Sequence, residues 1–366
     1  MRPAVATIDL AALRHNLRRV RELAPHSRVV AVVKANGYGH GAARLLPGLG
    51  EADMLGVACI EEALALREAA ARQPVLLMEG VFEAAELADC ARLGFEIAVH
   101  EPGQIAMLER SRLDRPLVAW LKVDTGMTRL GFRPEAAEAA WRRLRDCPNV
   151  GDIRLMTHFA NADMPEDTHT PSQLARFARL GLPGQRSLAN SAAVLAWPEA
   201  HGDWVRPGIM LYGVSPLLDR TGEDEGLLPV MTLATRLIAV KEVRAHETVG
   251  YAASWTSPGD GRIGIAAMGY GDGYPRHAPS GTPVLVRGRT VPLVGRVSMD
   301  MVALDLSQLP EAGQGDEVVL WGPGLAIEGI ASLAGTIAYE LLCGITGRVH
   351  VRVIDDGPET TRNMSR

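Results

Sequence analysis

The first 215 residues repeat one rhythm. Short, continuous apolar runs rich in β-branched residues alternate with segments of helical period. The runs fall at 28–35, 54–60, 74–79, 95–100, 117–124, 153–159, 186–191 and 204–211. Runs that are apolar throughout predict strands buried on both faces, as in a parallel sheet. The intervening segments include EEALALREAAAR and EPGQIAMLER, the second with Pro102 at a first helical position. Ahead of the first run, Leu10, Leu13, Leu17 and Val20 form a helical stripe, with Asp9 as N-cap and Pro25 as stop. Eight strands alternating with helices predict an α/β fold, a (β/α)₈ TIM-type barrel. An open doubly wound sheet is the alternative, and the seventh run is weak by propensity.

After about residue 225 the pattern changes. MTLATRLIAVKEV (231–243) alternates, and RIGIAAM, PVLVRGRTVPLV, MVALDL and DEVVLW read as short strands broken by Gly and Pro. LVRGRTVPLV predicts a hairpin around Gly288. One amphipathic helix is expected over 327–342, carried by Ile327, Ile330, Leu333, Ile337 and Leu341, before a last strand in GRVHVRVI. The acidic, turn-prone segment 215–229 marks a boundary. The expected organisation is a barrel over 1–225, its first residues pairing with the second domain, and a mainly β domain over 226–366.

Length and composition narrow the class. A chain of 366 residues, 47% hydrophobic, is ample for two cores. The net charge of −5 and the absence of a basic block give nucleic-acid binding no support. Arg142, Arg143 and Arg145 read as a solvated helix face. Cys59, Cys90, Cys147 and Cys343 are scattered without a CxxC pair, which argues against zinc and a disulfide framework and fits a reducing compartment. The first residues lack a signal peptide's apolar core, and no apolar run is long enough to span a bilayer. A cytoplasmic enzyme without membrane association is expected.

The stretch AVVKANGYGHG (31–41) brings Lys34 to the C-terminal end of the first barrel strand, where barrels of this type keep their active sites. An amine held partly out of water is a usable nucleophile, and Schiff-base chemistry with an aldehyde is its most economical use. A turn rich in glycine, with Tyr38 inside it, leaves room for a planar ligand. His158 ends the sixth run, Asn190 and Ser191 the seventh, and Arg206 lies in the eighth, followed by Gly208 and Ile209. Barrels commonly bind phosphate after strands seven and eight. An imine-forming lysine with a phosphate site implies pyridoxal phosphate (PLP). Each residue has a plainer reading: Lys34 as a solvated loop lysine, His158 as a satisfied core histidine, Arg206 as the partner of Asp203.

VVKANGYGHG resembles the PLP-lysine signature of the alanine racemase family, with Gly37 in place of the usual alanine. LKVDTGMTRLG, HFANAD, DWVRPGIMLYGVSP, VGY, MGYGDGYPRHAPSGTPVLV, VGRVSMDM and AYELLC are similar to family segments and stand in family order. The resemblance implies a PLP-binding barrel joined to a β-rich domain in a head-to-tail homodimer with shared active sites. It implies Lys34 as cofactor lysine and base on one face of the substrate α-carbon, with Tyr251 of the partner chain as base on the other. Arg206 then faces the pyridine nitrogen and His158 hydrogen-bonds Arg206. Tyr38, Ser191, Gly208, Ile209 and Tyr339 match phosphate-binding positions. Arg129 matches the residue that holds the substrate carboxylate, Met299 one that meets substrate through its backbone, and Lys122 a lysine carbamylated in many relatives. The plainer reading of Lys122 is a strand lysine paired with an acid. Two departures stand out: Ala252, where glycine is common, and Ser298, where relatives often carry Cys or Ala. No metal is implied.

The function so implied is interconversion of L- and D-alanine, supplying D-alanine for peptidoglycan. A racemase of broader range is the nearest alternative, although Tyr270 and Tyr339 would narrow the entry. A decarboxylase on the same barrel would be expected to place a carboxylate, not Arg206, at the pyridine nitrogen. A non-catalytic PLP-binding protein would lack the second domain and Tyr251.

Overall fold

The computed structural model describes residues 2–355. The chain enters through β1 (Val5–Asp9) and the helix Leu10–Leu23. Asp9 caps that helix, its Oδ1 accepting from the Ala11 and Ala12 amides at 2.8 and 3.0 Å. Leu13, Leu17 and Val20 are buried, so the stripe read from the sequence is the packed face.

Eight parallel strands follow: β2 (Arg28–Val32), β3 (Met54–Val57), β4 (Val75–Leu77), β5 (Phe95–Val99), β6 (Leu117–Lys122), β7 (Val150–Met156), β8 (Arg186–Ser187) and β9 (Trp204–Val205). Each pairs with the next, and β9 returns to β2 with Arg28 opposite Trp204, closing the barrel. All eight runs therefore became barrel strands, and the open-sheet alternative falls. The propensity-poor seventh run contributes only two strand residues.

One interior layer is built from Val30, Met54, Leu76, Ala98, Trp120, Met156 and Trp204. Beside it, Arg154 lies over the rings of Trp120 and Trp204 at 5.0 and 4.8 Å and pairs with Glu96 at 2.6 Å. Trp120 Nε1 also donates to Glu96. The barrel interior is filled by side chains, and chemistry is confined to its rim.

The remaining strands are β10 (Met231–Val243), β11 (Thr248–Val249), β12 (Trp255–Thr256), β13 (Gly261–Ala266), β14 (Pro283–Val286), β15 (Arg289–Val294), β16 (Val302–Asp305), β17 (Glu317–Trp321) and β18 (His350–Ile354). β11 and β12 pair with each other in a separate two-stranded sheet; the others join β1 in a sheet of order β13-β16-β15-β14-β17-β10-β1-β18, and an additional β10–β13 pairing closes six of its strands into a ring. The register shift between Leu237 and Ala239 lets the long β10 serve both sides. The hairpin expected at Gly288 is present, with Val286 opposite Arg289 and both turn residues, Arg287 and Gly288, at positive φ.

The single helix expected over 327–342 is corrected to two, Ile327–Leu333 and Ala338–Cys343. Gly335 at φ 69° reverses the chain between them, and Leu333 and Ile337 are exposed, not part of one buried stripe. The basic helix Pro134–Asp146 is solvated as expected, with Arg143 on Glu109 at 2.8 Å.

The chain separates into two compact units. Among the described residues, one holds 2–13, Tyr212–Val214 and 221–355; the other holds Arg14–Leu211 and Ser215–Arg220.

Candidate active site

Lys34 lies two positions past the end of β2, after Val33, and the four residues after it form one turn of left-handed helix. Ala35, Asn36, Gly37 and Tyr38 have φ of 51°, 52°, 65° and 51°. The left-handed region costs a non-glycine residue roughly 1–2 kcal/mol. Three such residues within one four-residue turn, Ala35, Asn36 and Tyr38, are held there by the surroundings. The Gly37 amide donates to Val33 O at 2.8 Å, Gly39 to Ala35 O at 3.0 Å and Gly41 to Asn36 O at 2.8 Å. Glu62 receives the Ala35 and Ala58 amides at 2.7 and 2.8 Å, tying the turn to the next barrel loop. Gly37 carries no steric cost at its positive φ, so its presence in place of alanine relieves one member of the set.

The turn buries Tyr38 and brings its phenol to Gly208. A Cβ on Gly208 would lie 2.5 Å from the phenol oxygen, so a glycine is required for this approach. Ser191 Oγ accepts from the Gly208 amide at 2.8 Å. Asn190 caps the short helix Ser191–Ala196, its Oδ1 taking the Ala193 amide at 3.0 Å. Tyr38, Ser191, Gly208 and Ile209 thus meet on one side of the barrel rim, all of them buried.

Lys122 at the end of β6, His158 two positions past β7 and Arg206 one past β9 share the parity of Trp120, Met156 and Trp204 of the interior layer. Arg206 is buried. Its terminal nitrogens donate to Ser187 Oγ and Thr157 O, both at 2.6 Å, and to Leu188 O at 3.3 Å, while its Nε–H has no partner. The expected hydrogen bond from His158 to Arg206 is absent; Ser187 Oγ, Thr157 O and Leu188 O take the terminal nitrogens of the guanidinium. The plainer reading of Arg206 fails too: Asp203 accepts from the Arg186 amide at 2.7 Å. Burial lowers the Arg206 pKa to about 10, so it keeps its charge at neutral pH.

Lys122 is 7% exposed and has no acid within ion-pair distance among the described residues, which removes its plainer reading. Burial, with the charges of Arg206, Arg129 and Lys34, lowers its pKa to about 8. Burial and the same cationic neighbours, with Lys122 among them, hold His158 well below the usual histidine range. Arg129 is exposed on a loop that Asp124 organises, its Oδ1 accepting from Gly126 and Thr128 at 2.9 and 3.0 Å. Lys34, Lys122, Arg129 and Arg206 therefore concentrate positive charge at one rim, which suits an anionic ligand.

The other unit holds the remaining candidates. Tyr251 is 69% exposed on a short turn in which Gly250, Ala252 and Ala253 have φ of 77°, 60° and 48°. Alanine at position 252 thus occupies a conformation that glycine would adopt without cost. Met299 is exposed, and its carbonyl accepts from Gly271 at 2.9 Å. Ser298 Oγ donates to Met301 O at 2.8 Å. Tyr270 is partly exposed, and Tyr339 stands half-buried in the helix Ala338–Cys343.

The barrel rim fits pyridoxal phosphate. An unpartnered guanidinium Nε–H suits a ring nitrogen. A cradle at Gly208 that a Cβ would fill, beside a phenol and a serine, suits a phosphate. Among the described residues none of the four cations is in an ion pair, although Glu79 acts on Lys122 from farther off. A cavity of about 420 Å³ lies elsewhere, lined by Tyr212, Leu227, Trp321 and Ile327 among others, and contains none of the candidate residues. Sequence reasoning missed Ser187, Thr157 and Glu62. The first two reach Arg206 only once the barrel closes; Glu62 carried no motif at all.

Comparison with known proteins agrees with this fold. Residues 8–216 match the model of the alanine racemase N-terminal domain, and residues 230–353 that of its C-terminal domain. The biosynthetic alanine racemase of Escherichia coli K12 is 54% identical over 359 residues, 97% of this chain and 100% of that protein. The solved structure of the biosynthetic alanine racemase from Pseudomonas aeruginosa superposes with a TM-score of 0.94 at 50% identity, covering 97% of this chain and 100% of the other. That of the alanine racemase from Acinetobacter baumannii gives 0.92 at 38% identity, with 97% and 100% covered. With both domain models matched in order and similarity along nearly the whole length, this chain belongs to the alanine racemase family.

Proposed function

We propose that this protein is a pyridoxal-phosphate-dependent alanine racemase that interconverts L- and D-alanine by a two-base mechanism in the cytoplasm, supplying D-alanine for peptidoglycan. The observation that carries the reading is Arg206. It is buried, without an acid, with one N–H unpartnered at a cation-rich barrel rim. Among the described residues no helix is long and apolar enough to cross a membrane.

Lys34 would hold the cofactor, Arg206 its ring nitrogen, and Tyr38, Ser191, Gly208, Ile209 and Tyr339 its phosphate, with His158 beside the ring. Bound pyridoxal phosphate supplies an electron-withdrawing ring that acidifies the C–H bond at the substrate's α-carbon. A guanidinium does not readily give up its proton, so Arg206 leaves the ring nitrogen unprotonated and moderates that withdrawal, which disfavours transamination. Arg129 holds the substrate carboxylate, and the backbone at Met299 meets the substrate. Lys34 Nζ takes or returns the α-proton on one face and the Tyr251 phenol oxygen on the other; one base per face is what inversion requires. The exposure of Tyr251 supports its delivery to a partner's site in a head-to-tail homodimer. The cofactor domain then spans 1–225, apart from its first residues, which pair with the second domain, and 226–366 is the domain that supplies Tyr251, with 356–366 outside the described residues.

Lys122 fits a carbamylated lysine. With its pKa lowered to about 8, a good share of the amine is neutral near that pH. Its nitrogen can then attack the carbon of CO₂ and release a proton, converting a repelling cation into an anion that steadies Arg129.

The test is circular dichroism of an L-alanine solution with the PLP-loaded protein. Loss of optical signal without pyruvate or CO₂ is the expected result. A yellow protein that leaves L-alanine unchanged overturns the racemase reading, and a Lys34→Ala protein that still holds the cofactor covalently overturns the role of Lys34.

A further inference from the structure

The left-handed turn after β2 has an internal clamp that neither base chemistry nor phosphate binding accounts for. His40 is fully buried, and its Nδ1 stands 3.0 Å from Gly37 O and 2.9 Å from Tyr38 O. Two carbonyls can only accept, so Nδ1 carries the hydrogen and shares it between them. Both carbonyls belong to residues in the left-handed conformation, and the His40 amide also donates to Gly37 O at 3.0 Å. Glu62 holds the start of the turn from outside through the Ala35 amide. His40 holds its end from inside.

We propose that His40 is a positioning residue for the cofactor site: its Nδ1–H, shared between Gly37 O and Tyr38 O, keeps the strained turn in the one conformation that presents Lys34 and the Tyr38 phenol together. The proposal rests on the assignment of Lys34 and Tyr38 to cofactor binding. A right-handed or extended Tyr38 would swing its phenol away from Gly208, where the approach is close enough to exclude a Cβ. The backbone strain favours that escape, and the clamp opposes it.

Two substitutions separate clamping from packing. Asparagine can place its amide N–H near the position of Nδ1, whereas phenylalanine fills the volume without a donor. PLP affinity is measured by reconstitution of the apoprotein, beside the melting temperature of each apoprotein. His40→Phe is expected to weaken PLP binding about ten-fold, the equivalent of losing a hydrogen bond or two. His40→Asn is expected to stay within about three-fold of the parent by the same measure. Equal losses for both, or none for His40→Phe, overturn the proposal. Should either variant not fold, ¹⁵N NMR of histidine-labelled parent apoprotein decides: an Nδ1-protonated ring at His40 is expected, and an Nε2-only tautomer overturns the clamp. A parent protein that binds no PLP contradicts the cofactor reading itself, a different outcome from a parent that binds it through a turn indifferent to position 40.

Discussion

Two residues carry the most exposed commitments of this site. Gly208 is a glycine because the Tyr38 phenol occupies the space of its Cβ. Gly208→Ala forces the phenol outward, and PLP affinity measured by equilibrium dialysis is expected to fall about ten-fold, or ~1.4 kcal/mol. Unchanged affinity would mean that the phenol is not part of the phosphate cradle. Tyr251 was legible only through its resemblance, since an exposed tyrosine on a turn advertises nothing by itself. Tyr251→Phe is expected to slow α-proton exchange from L-alanine about a hundred-fold or more, the usual contribution of a positioned acid–base group. Exchange from D-alanine should suffer much less, and NMR in D₂O reads both rates. Equal losses from the two enantiomers would remove the one-base-per-face scheme. Lys34 and Arg206 stood out as candidates by their places in the first and eighth runs, and the family resemblance gave them their roles. Arg206's true partners were not, because Ser187 and the Thr157 carbonyl are 19 and 49 positions away and meet it only through β7, β8 and β9 lying side by side.

At the level of elements, periodicity served where an element buries a regular face. The helix Leu10–Leu23 is an example: its stripe, its cap at Asp9 and its end before Pro25 follow from local sequence. Asp9→Ala should cost about 1 kcal/mol of stability, the usual worth of an N-cap side chain. Urea unfolding checks this, and an unchanged midpoint would show that sheet pairing of β1, not the cap, fixes the helix start. Periodicity misled over 327–342, where apolar residues at helical spacing continue through Gly335. A left-handed glycine there ends one helix and starts another, and spacing alone does not register a change of direction. The turn at 35–38 was read as glycine-rich and tight. Its handedness was not readable, because Ala35 and Tyr38 are residues that ordinarily avoid that region.

For the molecule as a whole, the buried imidazoles set how the fold responds to acid. Burial lowers the His40 pKa to about 4, while an unfolded histidine titrates near 6.5. Between those values the unfolded chain binds a proton that the folded chain refuses. Stability therefore falls as pH drops through that window, and His158 acts in the same direction. The share of His40 alone is about 2 kcal/mol between pH 7.5 and pH 5. Urea midpoints at the two pH values should differ accordingly, and the difference should shrink in His40→Asn. A parent midpoint independent of pH would place the imidazole in contact with water. The sequence by itself determined the barrel, the change to a β-rich second half and the strand-end candidates, because each depends on short-range periodicity or on motifs contiguous in the chain. Only the tertiary structure decided what surrounds those candidates: the partners of Arg206, the burial of Lys122 without an ion pair, the Tyr38–Gly208 approach and the left-handed turn that His40 spans. Those depend on barrel closure and on strain that distant contacts hold in place, and neither leaves a trace in local pattern.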